Sequence, residues 1–502
     1  MKTQFISFSW FLGALLGLFS ALGGLFPCSA RAAEPLQAVI FGGGPDVDNN
    51  ALQIESHTRF VIDLLPQGTH RMVFFADGSP TNATVSYIDW DKLTDAQKAL
   101  DALFPENNIA ASQNRPPKLG AHLDGPSSRA SLHRAVTKIA SSAQTAPILF
   151  YFAGHGAQSG KSDSTTQYDM WNEEELTVQE LSQELARLPS KAPILLVMAQ
   201  CYSGAFANVI FREGNPQSPL IAQDLVGFFS STKDHEAAGC GLGTDASEYQ
   251  DFSSYFFGAL SGHDRLGNRI TGADFDGDGR VSFHEAYCYA LINDPTMDTP
   301  TCTSDAFLAR YAPVANSRIY GTSYEQLLQM ASPAQRAALE SLSAKLNLSG
   351  TDRVVQAHDL LTYEDPVGTP EQVRAYREKQ DRLGALRKKG LDVMLAQWPD
   401  LRWSTEQKYQ KALEQALKKA ADDPAFCKEL IEAKSQFEDV EDALEVQAAL
   451  LTRFTHLAES IVRADRIRKS KNAAVKARFE QLWNSEQRSL DLAPGGNQLR
   501  SE

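Results

Sequence analysis

Ile148-Leu149-Phe150-Tyr151-Phe152 runs directly into Ala153-Gly154-His155-Gly156, and Ile194-Leu195-Leu196-Val197-Met198 into Ala199-Gln200-Cys201-Tyr202-Ser203-Gly204. Five consecutive apolar residues with no polar alternate predict a strand buried on both faces, and the flexible turn after each run marks its carboxyl end. Similar runs stand at Gln37 to Phe41, Met72 to Phe75 and Val226 to Ser230. Amphipathic stretches with helical period separate them, at about Ala51 to Leu65, Arg129 to Ala143, Val178 to Leu188 and Phe252 to Leu260. Strands alternating with helices predict an α/β fold: a mainly parallel sheet covered on both faces, whose function gathers at the carboxyl ends of its strands. The segment Asp77 to Pro126, rich in Asp, Asn, Pro and Gly, predicts a surface insertion with a short helix near Asp95 to Leu103.

From Tyr324 onward the pattern changes to long, highly charged helices, at Glu371 to Trp398, Ser404 to Ala421, Pro424 to Lys434 and Val440 to Trp483. An all-α region over 324–502 follows, with the preceding α/β domain at 33–323. The 502 residues are 43% hydrophobic and 22% charged, which excludes disorder and collagen. A net charge of −14 argues against nucleic acid as a partner. Met330 to Glu502 holds 27 basic and 27 acidic residues, so the acidic excess belongs entirely to the first part. The run Arg463, Arg466, Arg468, Lys469, Lys471 reads as a solvated helix face.

Lys2, the apolar run Phe5 to Phe26 and Ala30-Arg31-Ala32 compose an export signal over 1–32, the alternative being an uncleaved anchor. No later stretch is long enough to span a membrane, so a secreted or periplasmic protein is expected. Cleavage leaves Cys201, Cys240, Cys288, Cys302 and Cys427, an odd number. Either one thiol is left over, with a Cys288–Cys302 pair suggested by nearness, or all are free and buried.

His155 and Cys201, at consecutive strand ends, are the candidate base and nucleophile, since an imidazole can take a thiol's proton. The amides of Gly156 and Cys201 are placed to hold a developing oxyanion. Taken singly, each residue is more often structural; the pairing of two strand ends is what points to catalysis.

These elements resemble the His-Gly and Cys-x-Ser-Gly motifs of caspase-fold cysteine peptidases, and are similar in particular to the legumain-like family and its bacterial relatives. The resemblance extends over roughly Ala38 to Tyr320 and includes Val39-Ile40-Phe41-Gly42-Gly43 and Ser231-Thr232-Lys233-Asp234-His235-Glu236. It implies an α/β/α sandwich that cleaves peptide or protein substrates through an acyl-thioester on Cys201, with His155 protonating the leaving amine. It further implies an Asn supporting the His, matched by Asn49 or Asn50. Asp251 looks like the family's pocket aspartate, with Glu248 a neighbour able to share the role, and a Lys, Arg or Asn preference is expected. The chain departs from the pattern at Ala199, where relatives carry an acidic residue, and at Ala51-Leu52, where an Arg is missing. Two other readings remain: a binding scaffold that has lost competence, and a transamidase in which an amine captures the thioester. By position, the C-terminal helices resemble an inhibitory prodomain; the competing expectation is a homo-oligomerisation module.

Asp274-Phe275-Asp276-Gly277-Asp278-Gly279-Arg280-Val281-Ser282-Phe283-His284-Glu285 fits the twelve-residue EF-hand loop. The donors are Asp274, Asp276, Asp278, the Arg280 carbonyl, Ser282 and Glu285, with Gly279 at the sharp turn. Calcium is the expected cofactor, bracing the wall that carries Asp251.

Overall fold

The strands form where β-rich apolar runs can be covered from both sides, and they assemble into one six-stranded sheet. In chain order these are β1 Gln37–Gly42, β2 His70–Phe75, β3 Ile148–Ala153, β4 Pro193–Ala199, β5 Asp224–Phe229 and β6 Thr301–Cys302. Their order in space is β6-β5-β4-β3-β1-β2, all parallel except β6. This computed structural model describes residues 35–105, 112–142, 145–160, 162–363, 367–402, 407–490 and 492. The expected export signal lies outside them. Among the described residues no helix is long and apolar enough to cross a membrane.

Every residue of β1 and β3 is buried, as unbroken apolar runs require. Phe41 stacks on Phe74 and Phe152, with ring centroids 4.8 and 5.1 Å away, and ties three adjacent strands together. Helices Leu52–Leu64, Arg129–Ser141, Val178–Leu185 and Phe252–Ser261 fall where the periodicity placed them. The outer edge of β2 is closed by the last residues of the insertion: Val73 N–H donates to Asp124 Oδ2 at 2.8 Å and Phe75 N–H to the Gly125 carbonyl at 3.3 Å. At the other edge β6 is only two residues long.

The insertion's helix, Asp95–Leu103, is not a surface ornament. A capping box between Thr94 and Gln97 starts it. Its Leu100, Leu103 and Phe104 then build a second apolar core with Leu383, Leu386, Met394, Leu413 and Leu430 of the C-terminal helices.

The boundary expected at Tyr324 does not separate two cores. Residues Glu34–Glu502 form one unit. Leu451, Phe454, Leu457, Ile461 and Val462 of a 45-residue helix, Pro424–Arg468, belong to the same apolar core as the sheet, as do Phe479 and Leu482 of helix Ala473–Glu486. The break expected after Lys434 is absent, because Ser435 to Asp439 holds neither Gly nor Pro. Arg468 stacks over Trp483, 5.3 Å from its ring centroid, so this member of the basic run is not simply solvated. Among the described residues only Leu266 and Val393 are exposed large apolar side chains. All five described cysteines are free, and Cys288 and Cys302 are buried separately rather than paired.

Helix Ala473–Glu486 docks on the sheet through polar contacts. Ser485 Oγ donates to Asp224 Oδ1 at 2.7 Å, and Ser304 N–H donates to Glu486 Oε1 at 3.1 Å. Burial pushes the Glu486 carboxyl up to about 8, and nearby Asp305 adds to the shift. Burial also lowers His284, 4.0 Å away, to about 4, so near neutral pH the two are an uncharged pair and not a salt bridge. The folded chain holds a proton that an unfolded carboxyl releases near pH 4.5, so stability drains as pH rises from there to about 8. Glu486→Gln should flatten this loss, raising stability at pH 8 by about 3 kcal/mol. Thermal melts of both proteins across this pH range check it; parallel curves would refute it.

Candidate active site

Ala153 pairs with Ala199 across β3 and β4. His155 and Cys201 each stand two residues beyond that pair, at the carboxyl ends of neighbouring strands spaced by about 4.8 Å. The turn after β3 lies against the nucleophile's own backbone. A Cβ on Gly156 would meet the Cys201 carbonyl at 2.7 Å and Gln200 Cγ at 2.8 Å, so only glycine fits. The turns that carry the two residues therefore lie at neighbouring strand ends and touch at Gly156.

The Cys-x-Ser-Gly sequence makes the elbow. Tyr202 takes a left-handed backbone, φ 58°, reversing the chain directly after Cys201. Its N–H donates to the His235 carbonyl at 2.8 Å. Ser203 Oγ accepts from Ser231 N–H at 3.1 Å and fastens the elbow to the end of β5. Gly204 packs where a Cβ would lie 2.6 Å from the Ser231 carbonyl.

His155 Nε2–H donates to the main-chain carbonyl of Asn49 at 2.9 Å. This orients the ring and, in the neutral imidazole, leaves Nδ1 as its acceptor nitrogen. Of the two candidate asparagines it is Asn49 that meets His155, through its backbone carbonyl, while its own amide donates to Asp46 at 2.9 and 3.0 Å. Asn50 is buried and shapes the turn, accepting from Gly44 N–H at 3.2 Å and donating to the Thr84 carbonyl at 2.7 Å.

Cys201 Sγ accepts from Ala237 N–H at 3.3 Å. Burial pushes the thiol up, Glu236 and Asp298 push the same way, and the Ala237 N–H opposes them. Cys240, on the same loop, donates its thiol toward the Gly154 carbonyl at 3.7 Å and is raised by burial. The Gln200 side chain, 1% exposed, has neither its amide oxygen nor its nitrogen hydrogen-bonded among the described residues. An unmet buried amide group costs about 1–3 kcal/mol, and it stands beside the nucleophile. Nothing in the sequence marked Gln200 or Ala237, since both act through position alone.

Asp251 does not line an open pocket. It caps helix Phe252–Ser261, with Oδ1 accepting from Ser254 N–H at 2.9 Å and Oδ2 from Ser253 Oγ at 2.6 Å. The spacing of Asp251 and Ser254 ahead of an apolar run was the readable signal of that cap. His57 Nδ1 lies 3.2 Å from Asp251 Oδ1 and 3.0 Å from Arg265 Nη1. Burial drives the Asp251 carboxyl up, but His57, Arg265 and the serine hydroxyls overcome it and hold it below its usual value. Burial lowers His57 to about 3, leaving it neutral. Arg265 supplies the positive charge near Asp251, and its guanidinium is spent on His57, the Tyr249 carbonyl and Ser56 Oγ. Glu248 is exposed on the turn Ala246–Glu248 and is not joined to Asp251.

In the 274–285 loop, Gly277 N–H and Gly279 N–H donate to the two oxygens of Asp274 at 2.7 and 2.9 Å. Oxygens of Asp274, Asp276 and Asp278 lie within 4.8 Å of one another, a set suited to a hard cation. Glu285 Oε1 accepts from Phe275 N–H at 2.8 Å, closing the loop, and Oε2 accepts from Ser282 in a capping box. Ser282 is therefore engaged as helix cap, and the Arg280 side chain is exposed, which leaves that residue only its expected carbonyl role. The helix after the loop, Phe283–Asn293, starts where expected.

No family model and no curated protein matches this chain. Among solved structures, the crystal structure of protein GSU0716 from Geobacter sulfurreducens is similar at 12% identity and a TM-score of 0.30. The match covers 54% of this chain and 92% of that one.

Proposed function

We infer that this chain is an exported cysteine endopeptidase of the caspase type. One observation supports the reading: the β3–β4 register brings the turns bearing His155 and Cys201 to neighbouring strand ends, with Gly156 against the Cys201 backbone. In the proposed cycle His155 Nδ1 takes the Sγ proton as sulfur attacks the peptide carbonyl, and the raised thiol makes the two events concerted. The amides of Gly156 and Cys201 face the developing oxyanion, and the Asn49 carbonyl steadies the imidazolium through Nε2–H. His155 then protonates the leaving amine, and water cleaves the thioester. Because Asp251 is buried, a Lys, Arg or Asn preference does not follow from it. An acyl-type electrophile offered to the intact chain at neutral pH should label Cys201, and Cys201→Ala should not be labelled.

A second reading, a binding scaffold, is favoured by one contact: Sγ is held by the main chain of Ala237. The same experiment separates them, because a scaffold leaves the probe unreacted.

Calcium at 274–285 is part of the proposal, as a brace. Helix Phe283–Asn293 packs on helix Phe252–Ser261, and its end leads into the segment that supports the nucleophile's loop. Saturating calcium, at about 100 times its Kd, should stabilise the chain by roughly 2.7 kcal/mol. Asp276→Ala should lose that gain in thermal melts, and an unshifted melting temperature in the parent chain would refute the site.

A further inference from the structure

The nucleophile's hydrogen-bond donor, Ala237 N–H, sits in a loop whose position is set from below. Asp298 is wholly buried, and its two carboxylate oxygens each take a backbone donor at 2.7 Å, Ala238 N–H on Oδ1 and Phe252 N–H on Oδ2. Thr299 Oγ1 accepts from Thr232 N–H at 3.1 Å, a second attachment of the same loop. The segment carrying Asp298 is in turn gripped by one side chain of the C-terminal region. Arg453, 1% exposed, donates Nε to the Asp298 carbonyl at 2.7 Å, Nη1 to the Asp294 carbonyl at 2.7 Å and Nη2 to the Thr296 carbonyl at 2.8 Å. An unbroken path runs from Arg453 through Asp298 to Ala238, whose neighbour Ala237 touches Cys201 Sγ.

We propose that Asp298, anchored by Arg453, is a positioning residue that aims the Ala237 N–H at the sulfur of Cys201, making helix Pro424–Arg468 a clamp on the catalytic loop. This rests on Cys201 being the nucleophile. A buried carboxyl group is suited to the task because each of its two oxygens accepts one main-chain donor, whereas a carboxamide has a donating NH2 in place of the second oxygen.

Around the sulfur stand Tyr202 on the elbow, Glu236 and Cys240 from the loop after β5, and Asp298 below, while the His155 ring is held by the Asn49 carbonyl. Asp298 acts on the thiol in two opposed ways. Burial, Asp294 and Asp251 push the Asp298 carboxyl well above its usual range, and any charge it carries disfavours the thiolate, whereas the N–H it aims favours it. Asp298→Asn therefore gives opposite results for the two roles. In the full-length chain, the rate of Cys201 alkylation by iodoacetamide is followed against pH by mass spectrometry of its peptide. The positioning role predicts that the thiol's titration midpoint rises by about one unit, with labelling at pH 7 falling roughly tenfold. A midpoint that is unchanged or lower overturns the proposal. Protection of the buried Cys288 and Cys302 reports that the variant is folded. If it is not, Arg453→Lys keeps the cation but loses the fork, and the midpoint should still rise; no rise overturns the proposal. Alkylation needs only a thiol, so this test stands or falls separately from peptide hydrolysis.

Discussion

A Cys201→Ala chain is expected to cleave no peptide, and His155→Ala to cleave about 10²–10⁴ times more slowly than the parent. The asymmetry follows from the site. Without the sulfur there is no acyl-thioester and no second route through it. Without the imidazole, Ala237 N–H still touches the sulfur, so a small thiolate fraction survives and should grow with pH. The His155→Ala rate should accordingly climb tenfold per pH unit through the neutral range, while the parent's profile is flatter. Single-turnover acylation against pH measures both. If His155→Ala reacts as fast as the parent, the imidazole is not the base, and the register of β3 and β4 has only structural meaning.

A chain ending at Ser323 is expected not to accumulate as a folded protein. An inhibitory cover would leave an active enzyme behind when removed, but these helices complete the core. Deletion strips away Leu451, Phe454, Leu457, Ile461, Val462, Phe479 and Leu482, each buried against the same core as the sheet. At about 1.5–3 kcal/mol for each side chain, their loss is as large as the 5–15 kcal/mol that holds an ordinary domain together. It also removes Arg453, leaving the carbonyls of Asp294, Thr296 and Asp298 without their donor. Soluble yield and circular dichroism of the truncated chain decide the matter. A folded, faster peptidase would restore the prodomain reading and contradict the shared core.

How far these conclusions were readable in the sequence depends on how local their causes are. The strands were legible because burial on both faces forces unbroken apolar runs such as Ile148 to Phe152. The 274–285 loop was legible because its turn chemistry is written residue by residue. The Tyr324 boundary misled because a charged amphipathic helix has the same pattern whether its apolar stripe meets a sister helix or a sheet. The partners of Arg453 are main-chain carbonyls some 155 to 162 residues away, which carry no side-chain signature. The sequence left Asn49 and Asn50 undecided beside His155, and it is the Asn49 peptide oxygen, which no side-chain identity reveals, that arrives there. Asp251 was read as a specificity group because a resemblance supplied that role, when the cap spacing was present in the same six residues.

The two borders of the main sheet offer little to a stranger. Along β2 the free peptide groups are taken up by Asp124 and Gly125, and β6 ends after two residues. Polymerisation by strand addition, the usual hazard of a long open ribbon, has no template at either side. A concentrated solution of this protein should therefore resist growth into cross-β fibrils.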